Sequence, residues 1–178
     1  MKVMGLDLSL TGTGIVVLNY NGTVAAHMTV SSKLRDMERL SYIRSVVGHI
    51  VSKHNPSLTC IEGYSMGSRA GQLASIGELG GVIKLLLFRN GFRYQVIAPT
   101  QVKKFVTGKG VGMKDEVMMH VYKRWGWTPG DNNQADAYGL GRIALALEEI
   151  DTNLIVPQRE VIDAIRLASL EKTTKRRK

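Results

Sequence analysis

Apolar residues along this chain fall into short continuous runs and into longer stretches with helical spacing. Residues 3–9 and 14–19 are typical of strands, and Asn21-Gly22 is typical of a hairpin turn that leads to a third strand at 24–30. Apolar positions between 33 and 54 recur every three or four residues, which predicts an amphipathic helix that Asn55-Pro56 ends. The same criteria predict strands at 58–62 and 92–98, and helices at 70–88, 101–106, 113–125, 134–149 and 157–170.

This order of elements predicts an α/β fold with a mixed five-stranded sheet flanked by helices. Three hairpin-linked strands form an antiparallel half, and helical crossovers add two strands that run parallel to the first. A chain of 178 residues that is 44% hydrophobic can bury one substantial core. We therefore expect a single domain over residues 1–170, followed by a basic tail at 171–178.

Three carboxylates occupy positions where a carboxylate needs a specific reason. Asp7 lies in the first apolar strand, Glu62 ends the fourth, and Asp136 opens a predicted helix. An ionised carboxylate is costly to bury unless it is paired or bound to a cation. If the first and fourth strands pair in parallel, Asp7 and Glu62 are neighbours, and Asp136 can complete the cluster from a helix packed on the sheet.

Clustered carboxylates are the ligands that Mg²⁺ prefers, and two such ions can promote phosphodiester hydrolysis. Each residue also has a structural alternative. Asp7 can be satisfied by backbone amides of the following turn, Glu62 by a surface cation, and Asp136 by the positive end of its helix.

The charge of the chain favours a polyanionic partner. Lys and Arg number 24 against 15 Asp and Glu, a formal net charge of +9, and nucleic acid is the obvious partner class. The single cysteine, Cys60, excludes an intramolecular disulfide and fits a reducing cytoplasm, where we expect the protein to be located. The sequence shows neither a membrane-spanning apolar run nor a signal peptide, so no membrane partner is expected.

Four segments together resemble the RuvC-type Holliday junction resolvases. They occur in the family's order and spacing over roughly residues 1–150. They are Gly-Leu-Asp-Leu-Ser at 5–9, Ile-Glu-Gly-Tyr at 61–64, the stretch 98–117, and Asn-Gln-Ala-Asp-Ala at 133–137.

The resemblance implies an RNase H-like fold and a homodimeric, Mg²⁺-dependent endonuclease that resolves four-way DNA junctions by paired nicks. Two ions per site are expected, with Mn²⁺ able to substitute and no nucleotide cofactor. It assigns Asp7, Glu62 and Asp136 as metal-binding catalytic residues, and Lys103 and Lys114 as residues for DNA contact, with Lys114 also catalytic. The further DNA contacts that we predict are Ser9, Tyr64, Arg69, Lys104 and Lys109.

Two positions depart from the family pattern. Asn133 stands three residues before Asp136, where the family has a fourth acidic or histidine ligand. Asp131 on the preceding loop is the predicted replacement, both as a catalytic residue and as a metal ligand; its alternative is to cap the helix. Tyr64 stands two residues after Glu62, where an inserting aromatic is expected at three, and it either stacks on an unpaired base or packs at the strand end.

Three other functions are compatible with parts of this sequence. The first is an enzyme of broader selectivity that also cuts three-way, flap and fork substrates, because phosphate contacts do not by themselves choose a substrate. Residues 7–14 also resemble the phosphate loop of actin-like ATPases and sugar kinases, but those proteins need two such domains. A degenerate nuclease that only binds junctions is disfavoured because all three carboxylates are present.

Overall fold

The computed structural model describes residues 1–64, 70–110 and 114–175. The strands in these ranges are β1 (Lys2–Asp7), β2 (Thr13–Asn19), β3 (Val24–Val30), β4 (Thr59–Glu62) and β5 (Tyr94–Ile97). The helices are α1 (Asp36–His54), α2 (Ala70–Arg89), α3 (Pro99–Thr107), α4 (Lys114–Trp125), α5 (Asn132–Leu147) and α6 (Val156–Lys175).

The strands form one sheet in the order β3-β2-β1-β4-β5. β1 pairs antiparallel with β2 and parallel with β4, β2 pairs antiparallel with β3, and β4 pairs parallel with β5. The predicted α/β fold with three antiparallel and two parallel strands is confirmed. The parallel pairs follow from the long crossovers through α1 and α2, since a parallel strand cannot be reached by a tight turn.

The sheet has a helix layer and a hydrophobic core on each face. Because side chains alternate across a strand, neighbouring residues of β1 enter different cores: Val3 packs with α3, α4, α5 and α6, and Met4 packs with α1 and α2. Cys60 lies in the first of these cores with no exposed surface, and this burial raises the pKa of its thiol. A buried thiol with a raised pKa has little thiolate to react.

Several element ends differ from the sequence prediction, two of them by three residues or more. α1 begins at Asp36 instead of residue 33. α6 continues to Lys175, so five residues of the predicted tail are helical. The reason is local: residues 171–175 contain Glu and Lys and neither Gly nor Pro, so nothing ends the helix at 170. Across the described ranges, no helix is long and apolar enough to cross a bilayer.

Candidate active site

Asp7 and Glu62 are brought together by the parallel pairing of β1 with β4. Leu6 lies opposite Ile61 in the register, and the two carboxylates are the next residue on each strand. They lie at the carboxyl ends of adjacent parallel strands, as the sequence predicted. Asp7 is only 7% exposed, although it ends its strand.

Asp136 reaches the same place from α5, which packs against β1 and β2. The helix begins two residues earlier than predicted, at Asn132, so Asp136 lies in its second turn and not in its first. Gly14 of β2 permits this approach, because a Cβ atom there would overlap the backbone carbonyl of Asn133.

A cavity of about 640 Å³ joins the three carboxylates. Its walls come from the β1–β2 turn, from β4 and the residues after it, and from the five helices α1 to α5. The lining residues are Asp7, Leu8, Ser9, Leu10, Thr11, Arg39, Glu62, Gly63, Tyr64, Ile76, Pro99, Lys103, Val117, Asn132, Asn133 and Asp136.

The carboxylates interact strongly enough to change one another's protonation. Burial is the largest cause that raises the pKa of Glu62, to about 9; the charges of Asp7 and Asp136 and a hydrogen bond with Asp7 act in the same direction. Lys103 opposes them. Since the hydrogen bond favours the protonated form, Glu62 donates it and Asp7 accepts it.

This donor set fits a hard divalent cation. Among the described residues, no three acidic, histidine or cysteine side chains are already arranged to coordinate one metal ion. The carboxylates instead border a cavity, and the raised pKa of Glu62 favours a proton there that a cation would displace. Asn132 also lines the cavity, and its buried Oδ1 accepts no hydrogen bond from any described residue, so a further oxygen lies close to the carboxylates.

Asp131 occupies the N-cap of α5. Its Oδ1 accepts a hydrogen bond from the backbone N–H of Gln134 at 2.8 Å, and its Oδ2 accepts one from Thr29 Oγ1 at 2.5 Å. It is not among the cavity-lining residues. The geometry therefore favours the helix cap over the fourth ligand, and Asp131 as a ligand stays a prediction without structural support. The physical reason is that α5 starts at Asn132 and its first N–H groups need an acceptor.

Tyr64 lines the cavity but packs against α2. Its hydroxyl donates to the carbonyl of Gly77 at 3.4 Å, and Lys84 Nζ lies 5.5 Å from the ring centroid. Gly80 provides the space, because a Cβ atom there would overlap the Tyr64 hydroxyl. These contacts match the packed alternative, so insertion into a junction requires the ring to leave them.

The predicted DNA contacts divide into three groups. Ser9 and Lys103 line the cavity. Lys104 and Lys109 do not: Lys104 Nζ lies 2.7 Å from Glu160 Oε2, and Lys109 is exposed beyond α3. Arg69 lies outside the described residues, as does the side chain of Lys114, although α4 begins at Lys114.

Asn132 and Arg39 are among the cavity residues that the sequence reasoning missed. Asn132 lies four residues before Asp136, and this helical spacing was a usable signal that both residues share one face. Arg39 had no comparable signal. It lies in α1, between segments that carry no recognised motif, and only the packing of α1 against the sheet brings it to the cavity.

This mixed sheet, with acidic residues at the ends of β1 and β4 and on α5, defines the RNase H-like class of proteins. The family described as "Crossover junction endodeoxyribonuclease RuvC" matches residues 3–141. The chain belongs to the RuvC family, and it is thus a divalent-metal-dependent endonuclease.

Individual relatives agree with this assignment. RuvC of Caldicellulosiruptor saccharolyticus is 29% identical over 153 residues, which cover 79% of this chain and 89% of the relative. RuvC of Mycobacterium leprae is 32% identical over 123 residues, covering 66% of this chain and 65% of the relative.

Solved structures of this fold include Thermus thermophilus RuvC. One matches with a TM-score of 0.72 and 22% identity, covering 84% of this chain and 96% of the other. Another, in complex with a Holliday junction substrate, matches with a TM-score of 0.69 and 25% identity, covering 79% of this chain and 90% of the other. The fowlpox virus Holliday junction resolvase shares the fold at a TM-score of 0.56 and 13% identity, covering 82% of this chain and 99% of the resolvase.

Proposed function

We propose that this protein resolves four-way DNA junctions by metal-dependent phosphodiester hydrolysis. One observation carries the proposal: three carboxylates from β1, β4 and α5, together with Lys103, line one cavity in a chain of the RuvC family. The net charge of +9 suits a DNA substrate.

The carboxylates of Asp7, Glu62 and Asp136 are proposed to hold Mg²⁺, two ions per site, with Mn²⁺ able to substitute. When bound, the metal supplies Lewis acidity and a water of lowered pKa. Asn132 and Asn133 line the same wall and offer neutral amide oxygens, Asn133 at the position where the family has an acidic or histidine ligand.

The remaining polar side chains are proposed to orient DNA. Lys103 borders the carboxylates, where its charge attracts phosphate and favours the ionised form of Glu62. The Ser9 hydroxyl, 3.1 Å from Thr11 Oγ1, can reorient toward a phosphate oxygen. Lys114, by family resemblance, would stabilise charge that develops at the scissile phosphate.

We propose that the protein acts as a homodimer through α2. Ala74, Gly77, Gly81, Leu85 and Phe88 follow one another at intervals of three or four residues and share one face of that helix. Cβ atoms at Gly77 and Gly81 would meet nothing within 4 Å, while Leu85 and Phe88 are 54% and 74% exposed. A small-residue surface beside exposed large apolar side chains suits close helix packing between two copies.

The test is a cleavage assay on a synthetic immobile four-way junction, with and without Mg²⁺, in which cuts are mapped on all four strands. A dimer with two-fold symmetry predicts paired nicks on two like strands. Three-way, flap and fork substrates in the same assay measure the breadth of selectivity. Absence of Mg²⁺-dependent cuts on every branched substrate would refute the proposed function.

We expect the enzyme to work in the cytoplasm, where a bacterial or phage chromosome is exposed.

A further inference from the structure

Arg39 is a cation at the active-site cavity that neither the sequence motifs nor the proposed function uses. It lies in the first turn of α1, is half-buried, and borders the cavity that contains the three carboxylates. It also borders a second hollow next to that cavity, whose other lining residues are Leu10, Arg35, Asp36, Leu40, Ser75 and Glu78. Arg39 thus stands where the two depressions meet.

Arg39 and Lys103 approach the cavity from opposite faces of the sheet. α1 packs on one face through Leu40 and Ile43, and α3 packs on the other through Val102. The carboxylates lie at the strand ends between the two helices. A DNA strand whose scissile phosphate meets the carboxylates therefore has a cation available on each side.

A hydrogen bond to a nearby backbone carbonyl orients the Arg39 guanidinium. Its Nε–H donates to the carbonyl of Leu34 at 2.6 Å. Although Asp36 and Glu78 border the second hollow, no ion pair joins Arg39 to an acid of the described residues. The Nε–H group is thus used, and the N–H groups of the two terminal nitrogens can donate to another acceptor. A planar guanidinium fixed in this way is preorganised for two parallel hydrogen bonds to a phosphate.

We infer that Arg39 binds a backbone phosphate of the cleaved strand next to the scissile phosphate, on the α1 side of the cavity. The inference rests on the proposed function and adds a DNA-binding residue to it. Ser9 and Thr11 line the same cavity and offer hydroxyl donors to the same stretch of backbone. Arg39 and Lys103 then hold the strand from both sides, while the acidic residues between them face the phosphate to be cut.

The test compares Arg39→Gln with Arg44→Gln in the full-length chain. Arg44 is an exposed arginine on the same helix and does not line either depression, so it controls for loss of one positive charge. Junction binding is measured in EDTA over a series of KCl concentrations, and single-turnover cleavage is measured in Mg²⁺. Arg39→Lys is included because it keeps the charge and loses the planar fork.

We expect Arg39→Gln to weaken junction binding about tenfold and to reduce the slope of log K against log salt by about 0.9, the value for one lost phosphate contact. Arg44→Gln should leave both quantities close to wild type. Arg39→Lys should recover the salt slope but cleave more slowly than wild type at saturating DNA. Circular dichroism melting of each variant distinguishes these effects from loss of folding, which would not selectively change the salt slope of the folded fraction.

Two outcomes overturn the inference and are distinguishable. If wild type cuts junctions and Arg39→Gln matches Arg44→Gln in binding, salt slope and cleavage, Arg39 contacts no phosphate and only offsets the charge of the carboxylates. If wild type itself shows no metal-dependent cleavage of branched DNA, the proposed function is wrong and the inference falls with it.

Discussion

Gly5 of β1 lies directly under the backbone carbonyl of Ala137 of α5, with no space between them for a side chain. A Cβ atom on Gly5 would overlap that oxygen and would lie 2.5 Å from the amide nitrogen of Gly141. The contact joins the strand that ends in Asp7 to the helix residue that follows Asp136. The distance between two of the carboxylates that line the cavity thus depends on a glycine that does not itself line it.

We therefore predict that Gly5→Ala is severely destabilising. The added methyl group forces α5 away from β1, and overpacking of this kind costs about 1–3 kcal/mol or more in the free energy of unfolding. Chemical denaturation measures it. Gly48→Ala is the matched control, because a Cβ atom there makes ordinary contacts at 3.6 Å with Leu86 and lies inside α1, where alanine is favoured. Equal stability of the two variants would contradict the close packing of α5.

Asp7→Asn should abolish cleavage without abolishing binding. The substitution keeps the size of the side chain and removes one metal-binding charge, so we expect Mg²⁺-dependent cleavage to fall by at least about 100-fold. Junction affinity in EDTA should stay the same or increase, since one negative charge next to the DNA is gone. Cleavage and gel-shift measurements on one junction test both parts. Unchanged cleavage would refute the role of Asp7.

The metal-free protein should lose stability as pH rises. Burial and the neighbouring carboxylates raise the pKa of Glu62 from 4.5 to about 9. Between these values the folded state binds a proton that the unfolded state has released, so the free energy of unfolding decreases with increasing pH. A divalent cation replaces that proton, and its stabilising effect should therefore be larger at high pH.

Thermal melting in EDTA and in Mg²⁺ across this pH range checks the prediction. Glu62→Gln is the control, because glutamine has no proton to lose and its melting temperature should fall less between about pH 5 and pH 9. If wild type and Glu62→Gln show the same pH dependence in EDTA, the Glu62 proton is not coupled to folding.

Substitutions at Asp131 distinguish a helix cap from a metal ligand. If Asp131 acts as the cap, Asp131→Ala should cost about 1 kcal/mol of stability, and Asp131→Asn should cost little because asparagine caps equally well. Neither should change the affinity for Mn²⁺ measured by electron paramagnetic resonance. A loss of Mn²⁺ affinity in a stably folded Asp131→Asn would instead identify Asp131 as a ligand.

Charged substitutions on α2 should separate a dimer into monomers. Phe88→Glu places a carboxylate on the apolar face of α2, where a second copy would have to bury it unpaired. We expect sedimentation to show a monomer and the paired nicks to become single nicks. Leu167→Glu on α6 is the control, since Leu167 is 60% exposed and lies away from α2. A dimer that persists in Phe88→Glu would place the interface elsewhere.

Local patterns in the sequence were sufficient for much of the architecture. The alternation of apolar residues and the Asn21-Gly22 turn predicted the antiparallel strands, and helical spacing predicted the crossovers that make β4 parallel to β1. From that topology the proximity of Asp7 and Glu62 followed, because the ends of adjacent parallel strands meet at one edge of a sheet. The start of a predicted helix added Asp136, the RuvC-type motifs added Lys103, and both residues line the cavity.

The sequence by itself thus determined which elements form, and which acidic residues end them, because hydrophobic periodicity and turn residues act over a few positions. Only the tertiary structure decided the rest. The second oxygen of the Asp131 carboxylate is held by Thr29, which lies 102 residues earlier in the chain. The placement of Arg39 depends on how α1 packs against the sheet. These are contacts between distant segments, and the free energy that selects them comes from packing in three dimensions, which no local pattern records.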